Sequence, residues 1–476
     1  MQTCEFVFVG GIILFVGRER ELERLNQMYA SGRFEFAVIY GRRRVGKTTL
    51  IKEFCRDKPA IYFVAREANG EINLENFSKD VYAVRERFLS GNSRFYDWES
   101  AFAYVGQLAQ TERLILVIDE YPYLAEGFPP VSSMIQAHID GVWKSGQLFL
   151  ILCGSSMSFM ENQVLGYQSP LYGRRTAQFK ILPFDFFESQ PFLAAFAPED
   201  KAVLYGITGG IPEYLSKVQP RQSVRENIVG LYLSPDGVFF EEPGNLLKQE
   251  LREPATYNGI IEAIARGASR LSDIAAKNHM ESNKCAKYLA SLISLGLVKK
   301  EIPVTETVSK KSIYLLDDQM FRFWYRFVFP NLSNIVSGLG KQVYDYEVEP
   351  QLSAYMGLVF EQICMQYMVE LMRRNALPFF IGKLGRWWGN NPHLKRQEEI
   401  DIMTYREGKA LFGECKWTNS LVDSDVLHDL MEQSRLFHFE ENYFYLFAKR
   451  GFTAQCQQQA AGRDNVRLIT FAEMMG

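Results

Sequence analysis

Gly41, Gly46, Lys47 and Thr48 fall in the spacing G-x-x-x-x-G-K-T, with Arg42, Arg43, Arg44 and Val45 between the glycines and Thr49 following. Glycines let a backbone curl until several N–H groups point inward, and such a curl cradles phosphate oxygens. In that setting Lys47 would reach the β- and γ-phosphates of a nucleotide and the Thr48 hydroxyl would bind Mg2+. A helix opening at Thr49 would add the positive field of its N-terminus. ATP and Mg2+ are the expected cofactors.

Further along, L-I-L-V-I-D-E at 114–120 ends an apolar run on an acidic pair. Asp119 would hold the Mg2+, directly or through water, and Glu120 is placed to polarise an attacking water, which points to hydrolysis rather than binding alone. A third group lies near the C-terminus. E-I-D-I-M at 399–403 puts Asp401 between apolar neighbours, and G-E-C-K-W at 413–417 carries Glu414 and Lys416. Residues two apart share a strand face, so a hairpin would set Asp401 beside Glu414, with both carboxylates toward one divalent cation. A buried strand should not carry charge unless it is paired or metal-bound. Glu399 shares the Asp401 face as a reserve ligand, and Gln433 on the following helix is placed to touch a substrate backbone.

These groups need elements to position them. Apolar runs at 36–40, 60–64, 114–118, 148–153 and 177–182 are rich in Val, Ile, Leu and Phe without strict alternation, as in strands buried on both faces. Amphipathic stretches between them imply helical crossovers and a mainly parallel sheet, an α/β class built as a P-loop domain over 15–184. Residues 185–253 read as a helical lid, broken by T-G-G-I-P at 208–212. Three short helices (257–266, 271–277 and 281–295) and two strands (297–302 and 309–316) then give the order of a winged helix-turn-helix over 254–316. Asn283, Lys284 and Lys287 on its third helix, with Lys299, Lys300, Lys310 and Lys311 on the wing, either contact phosphates of double-stranded DNA or leave the domain to pack as a nucleotide-sensing relay. A linker over 317–351, aromatic-dense at 320–329, leads to a last α/β domain over 352–476 with strands at 399–405, 410–416 and 443–448.

Bulk properties narrow the field. A chain of 476 residues calls for two to four domains, and 47% hydrophobic with 23% charged residues is ordinary for a folded chain. The net charge of −3 gives no global reason to bind nucleic acid, so any such role rests on local patches. Seven scattered cysteines without a C-x-x-C pair fit reduced thiols and a cytoplasmic location. The apolar stretch at 6–16 is too short to span a membrane and lacks a basic start. It reads as a buried strand or an extension over 1–14, with no membrane attachment.

With F-V-G-R-E-R-E-L-E-R-L at 15–25, L-C-G-S-S at 152–156, L-Y-G-R-R-T at 171–176 and T-G-G-I-P-E-Y at 208–214, the chain resembles the archaeal-type ATPases of the STAND group of AAA-related signalling NTPases over 15–316. The resemblance implies Ser155 or Ser156 as the polar sensor toward the γ-phosphate and Pro212 as the sensor-region proline near the base. It also implies that Arg174 stabilises the transferring phosphate, although a surface salt bridge suits that residue equally. Arg42, Arg43 and Arg44 either shield phosphate charge or are solvated. Over 352–476, Y-M-G-L-V-F-E-Q at 355–362 and G-R-W-W-G at 385–389 join the acids to resemble the PD-(D/E)XK nuclease superfamily, in the domain of unknown function often fused to such ATPases. That likeness implies Asp401 and Glu414 as Mg2+ ligands, Lys416 orienting or deprotonating water, and Glu361 assisting from outside. A binding relic or a structural ion pair are the alternatives. Three functions follow: an ATP-gated nuclease, a non-cleaving regulator, and a scaffold that forms homo-oligomers with ATP.

Overall fold

The computed structural model describes residues 6–9, 12–85, 94–308, 311–392 and 394–476. The apolar N-terminal stretch contributes β1 (Phe6–Val9) and β2 (Ile12–Phe15), paired antiparallel. The chain divides into two compact units. The first holds residues 1–184 and 211–216, the second 185–210 and 217–476.

The first unit is built on β3 (Glu35–Tyr40), β4 (Ala60–Val64), β5 (Leu114–Asp119), β6 (Leu148–Gly154) and β7 (Ala177–Lys180), all parallel in the order β4-β5-β6-β3-β7. Every residue of β3, β5 and β6 is buried, which is why these runs show no polar alternation. Phe36, Val38, Leu116, Ile118 and Leu150 pack on one face with Phe102 and Ile135. Ala37, Ile39, Ile115, Val117 and Ile151 pack on the other with Leu25, Leu50 and Phe54. The strand order places the ends of β3 and β5 on either side of β6, so the loop after one faces the acids after the other.

In the second unit, helices Pro254–Ala265, Leu271–Lys277 and Ser282–Ser294 precede the antiparallel pair β8 (Val298–Glu301) and β9 (Ile313–Leu316), the winged-helix order. Ser309 and Lys310 lie outside the described residues. The aromatic-dense segment read as a linker is helical from Gln319 on, and Met320, Phe321, Phe323 and Trp324 are buried. The Trp324 indole donates to the Phe240 carbonyl at 2.8 Å, so the aromatic density is core material.

A long helix, Glu349–Arg373, leads to β10 (Leu384–Asn391), β11 (Arg396–Arg406), β12 (Lys409–Lys416), β13 (Glu441–Ala448) and β14 (Val466–Thr470). They lie side by side in chain order, antiparallel as far as β12 and parallel from β12 to β14. Sequence patterning did not reveal β10 or β14. Two glycines and a bulge between Gly385 and Trp387 interrupt the apolar pattern of β10. Among the described residues no helix is long and apolar enough to cross a membrane.

Candidate functional site

The loop between β3 and helix Lys47–Cys55 turns through two left-handed residues, Arg44 at φ 70° and Gly46 at φ 90°. For Arg44 that conformation costs roughly 1–2 kcal/mol, and such strain gathers at sites where backbone amides must be aimed. At Gly41 a Cβ would sit 2.3 Å from the Ile181 carbonyl oxygen, so no other residue fits. Lys47 is 7% exposed, and its ammonium donates to the carbonyls of Gly41 and Arg42, each at 2.9 Å. The side chain thus folds back across the mouth of the loop.

Asp119 is 3% exposed and is held from three directions. Its Oδ2 accepts from the Thr48 hydroxyl at 3.0 Å and the Tyr62 hydroxyl at 2.7 Å, and its Oδ1 accepts from the Glu120 N–H at 3.0 Å. The Thr48–Asp119 contact joins the phosphate loop to the acidic strand end. Sequence reasoning did not include Tyr62. Burial, and then the Asp119 carboxylate, hold its phenol well above the usual range, so it stays a donor.

Glu120 is itself left-handed at φ 52°, the last residue before helix Tyr121–Gly127. Its Oε2 accepts from the Ser155 hydroxyl at 3.0 Å and the Ser155 N–H at 3.3 Å. Ser155 therefore touches the acid, while Ser156 opens the short helix Met157–Phe159. An acid in a strained turn, fixed by a buried serine, is an arrangement for holding a carboxylate in one direction.

Elsewhere around the loop, Arg43 donates to the Tyr123 hydroxyl at 2.9 Å and Arg44 to the Tyr214 hydroxyl at 3.4 Å. These arginines meet phenols rather than bulk solvent. Val45 is fully buried, as is Thr49, whose hydroxyl has no hydrogen-bond partner among the described residues. Pro212 is buried at the first position of helix Pro212–Leu215, whose Tyr214 meets Arg44. Arg174 turns to Asp140: its guanidinium forks onto both carboxylate oxygens, with Nε at 3.1 and 3.0 Å and Nη2 at 2.5 Å. That is the salt-bridge alternative. The Arg174 hydrogen bonds, with those of Lys144, draw Asp140 down to about 2.

Arg18 was legible only as part of a motif. Itself left-handed at φ 64°, it donates to the Val45 carbonyl at 3.2 Å and the Leu182 carbonyl at 2.5 Å, with its guanidinium 4.2 Å from the Phe184 ring centre. It braces the phosphate loop from behind.

In the last domain the β11–β12 ladder pairs Ile402 with Gly413 and Met403 with Phe412, and Asp401 and Glu414 are the next residues past its last pair, close enough that the Asp401 charge acts on Glu414. Asp401 Oδ2 accepts from the Cys415 N–H at 2.9 Å, and Lys416 donates to Glu414 at 2.6 Å. Glu361 projects from helix Glu349–Arg373 toward Arg386 of β10, at 3.6 Å. Arg386 also reaches Glu399 and, at 3.7 Å, Glu301. Spacing alone gave no role to Arg386, although the G-R-W-W-G motif contains it. Among the described residues no three His, Cys, Asp or Glu side chains form a group that could hold a metal ion. The acids are instead engaged by Arg386, Lys416 and a backbone amide. Gln433 donates to Glu398 at 2.9 Å.

Burial, and next the charge of Asp401, push Glu361 and Glu414 each up to about 7. A carboxyl that holds its proton more tightly folded than unfolded stabilises the fold below the unfolded value near 4.5, and that contribution is lost as pH rises through about 7. The melting temperature of this domain is expected to fall between pH 5 and pH 7.5. A Glu361→Gln, Glu414→Gln double variant should flatten that slope, and an unchanged slope in melting scans would refute the assignment.

The wing lysines are partly spent internally. Lys299 pairs with Glu301 at 2.6 Å and Lys311 with Glu306 at 3.2 Å. Three residues between the wing strands meet β10 and its approach: Val304 N–H donates to the Arg386 carbonyl, Lys383 to the Glu306 carbonyl, and the Trp388 indole to the Lys311 carbonyl. Asn283, Lys284 and Lys287 stay exposed on helix Ser282–Ser294.

Comparisons with known proteins fit this arrangement. Residues 15–218 match a family described as an ATPase domain predominantly from Archaea, and residues 324–428 match archaeal and bacterial proteins of unknown function. The chain is 36% identical over 449 residues to the uncharacterized protein MJECL04 of Methanocaldococcus jannaschii, covering 92% of this chain and 96% of that one. The uncharacterized ATP-binding protein MJ0423 of the same organism is 48% identical over 48 residues, 10% of this chain and 81% of that one. Among solved structures, the Walker-type ATPase PABY2304 of Pyrococcus abyssi shares the fold with a TM-score of 0.50 at 20% identity, covering 68% of this chain and 99% of that one.

Proposed function

Since the chain belongs with MJECL04 to a family of archaeal-type P-loop ATPases carrying a C-terminal domain of unknown function, we propose that it hydrolyses ATP with Mg2+ and that nucleotide state governs a PD-(D/E)XK-type nuclease centre at Asp401, Glu414 and Lys416. The observation that carries the first half is the Thr48–Asp119 contact, a hydroxyl and a carboxylate meeting beside the phosphate loop. Those hard oxygens fit Mg2+ and would hold it. When bound, the ion neutralises charge on the β- and γ-phosphates. Lys47 adds a buried cation at the same place. Glu120, aimed by Ser155, orients water in line with the γ-phosphate and takes its proton as ADP leaves. Arg18 and Tyr62 are positioning residues, the one behind the loop and the other on Asp119.

In the last domain Asp401 and Glu414 offer a divalent cation oxygen ligands in a buried, acid-crowded place. Burial works against the Lys416 charge, but Glu414 and then Asp401 more than offset it, so its ammonium sits above the usual lysine range. A lysine so held orients water and phosphate rather than removing a proton. A second reading, a non-cleaving regulator whose last domain only binds, is favoured by Arg386, which already neutralises Glu361 and Glu399.

Glu120→Gln is expected to keep nucleotide binding while slowing turnover by about 100-fold or more, the usual contribution of a positioned base. Normal steady-state hydrolysis in that variant would remove its role. To separate the two readings of the last domain, the protein is incubated with plasmid and linear DNA, with Mg2+ or Mn2+, and with or without ATP. ATP-dependent cutting supports the nuclease, whereas retention of DNA without cutting supports the regulator.

A further inference from the structure

Within the second unit a cavity of 270 Å³ opens among helix Pro254–Ala265, β9 and helix Glu349–Arg373. Its walls include Ile264, Leu316, Leu358, Met365 and Tyr355, and four cations reach it: Lys299, Arg322, Arg326 and Arg386. Their counter-charges differ. Lys299 is matched by Glu301 at 2.6 Å and Asp317 at 3.9 Å, and Arg386 by Glu361, Glu399 and Glu301. Arg322 donates to the amide oxygen of Gln319 and also feels the Asp317 carboxylate, whereas Arg326 donates to the amide oxygen of Gln351 at 3.2 Å.

The Arg322 guanidinium lies 5.1 Å from the Tyr355 ring centre, and its buried Nε has no hydrogen-bond partner among the described residues. The Arg322 guanidinium, part-buried beside the Tyr355 side chain and the Asp317 carboxylate, keeps one buried N–H direction unmet, which favours the approach of a further acceptor. Arg322 and Arg326, one helical turn apart, each carry the planar fork that matches a phosphate or carboxylate. Arg322 lies half-buried and Arg326 exposed, so the anion meets one inside and the other at the rim.

From this geometry we infer that the cavity is a binding site for a small organic anion, a phosphate or carboxylate on a compact apolar or aromatic body. The charged end lies between Arg322 and Arg326, and the body rests on Tyr355, Leu358 and Ile264. The volume falls just below the roughly 300 Å³ at which drug-sized sites begin, so the ligand is compact. The site's lining residues all belong to the second unit and include none of the phosphate loop. It shares Glu361 and Arg386 with the carboxylate group, so the guanidinium that restrains Glu361 also lines the site.

The test uses the full chain with phenyl phosphate and benzoate as probes, and inorganic phosphate and phenol as the two half-ligands. Binding is read by hydrogen exchange in peptides covering residues 354–365, with the peptide over 41–50 as an internal control for the phosphate loop. Either organic anion is expected to slow exchange at 354–365 saturably, and each half-ligand to act at least about tenfold more weakly. An Arg322→Gln, Arg326→Gln double variant should weaken the effect about tenfold or more, as loss of charge-assisted hydrogen bonds implies. Leu358→Trp, which fills the cavity from its rim, should abolish it. Both variants should keep ATP binding at 41–50. No slowing at millimolar probe, or equal slowing in the double variant, would overturn the site.

Discussion

Lys47→Ala is expected to lower ATP turnover on the order of 1000-fold or more, and to weaken nucleotide binding with it. Removing a preorganised donor at the place where charge develops costs about that factor, and here the donor is also the buried cation of the loop. The ammonium bonds the Gly41 and Arg42 carbonyls, so its loss also frees two acceptors at the loop mouth. Lys47→Arg should not restore turnover, because a planar guanidinium does not replace a compact ammonium between two carbonyls. Single-turnover hydrolysis with a parallel binding measurement checks this. Turnover that survives in Lys47→Ala would take the phosphate loop out of the reaction altogether.

Lys416→Ala is expected to eliminate divalent-dependent cutting of DNA while leaving ATP turnover in place. Lys416 is bound at 2.6 Å to Glu414, a carboxylate already burdened by burial and by Asp401. Removing the ammonium takes away the cation nearest the acids and leaves Glu414 more strongly protonated, so both charge stabilisation and ligand capacity fall. Lys416→Gln, which keeps a hydrogen-bond donor, should preserve the melting temperature while still failing to cut. Gel assays on plasmid DNA read the result. If Lys416→Ala cuts as fast as the parent, the centre at Asp401, Glu414 and Lys416 is not what cuts, and the nuclease assignment to it is lost.

Much of the first unit was readable from residues because two constraints coincide there. The spacing from Gly41 to Thr48 admits few backbones, and β3, β5 and β6 are buried on both faces, so their apolar runs stand out. What escaped notice was contact between residues far apart in the chain. Tyr62 reaches Asp119 across 57 positions and Arg18 reaches Leu182 across 164, and neither spacing carries a local signal. Arg174 shows the converse limit, since a motif can position an arginine without saying which acid it meets. In the last domain the two strands at 399–405 and 410–416 were legible from their residues, and they pair antiparallel as β11 and β12. The half-exposed edge strand β10, and with it Arg386, was not, because edge strands need not bury either face.

The first unit is discontinuous, and this bears on how it is made. It takes residues 1–184 and then 211–216, a stretch entered through Gly209 and Gly210 at φ 69° and 67°. That insert carries Ile211, Tyr214 and Leu215, each 1% exposed. A ribosome releasing the chain at about 5–20 residues per second therefore finishes the sheet well before the unit has its last packing segment. Until residue 216 has emerged, the Arg44 bond to the Tyr214 hydroxyl cannot be made, and the phosphate loop is without that contact. Nucleotide capture by a nascent chain should begin only after that point, and a fragment cut at residue 184 should remain a poor binder however well its strands form.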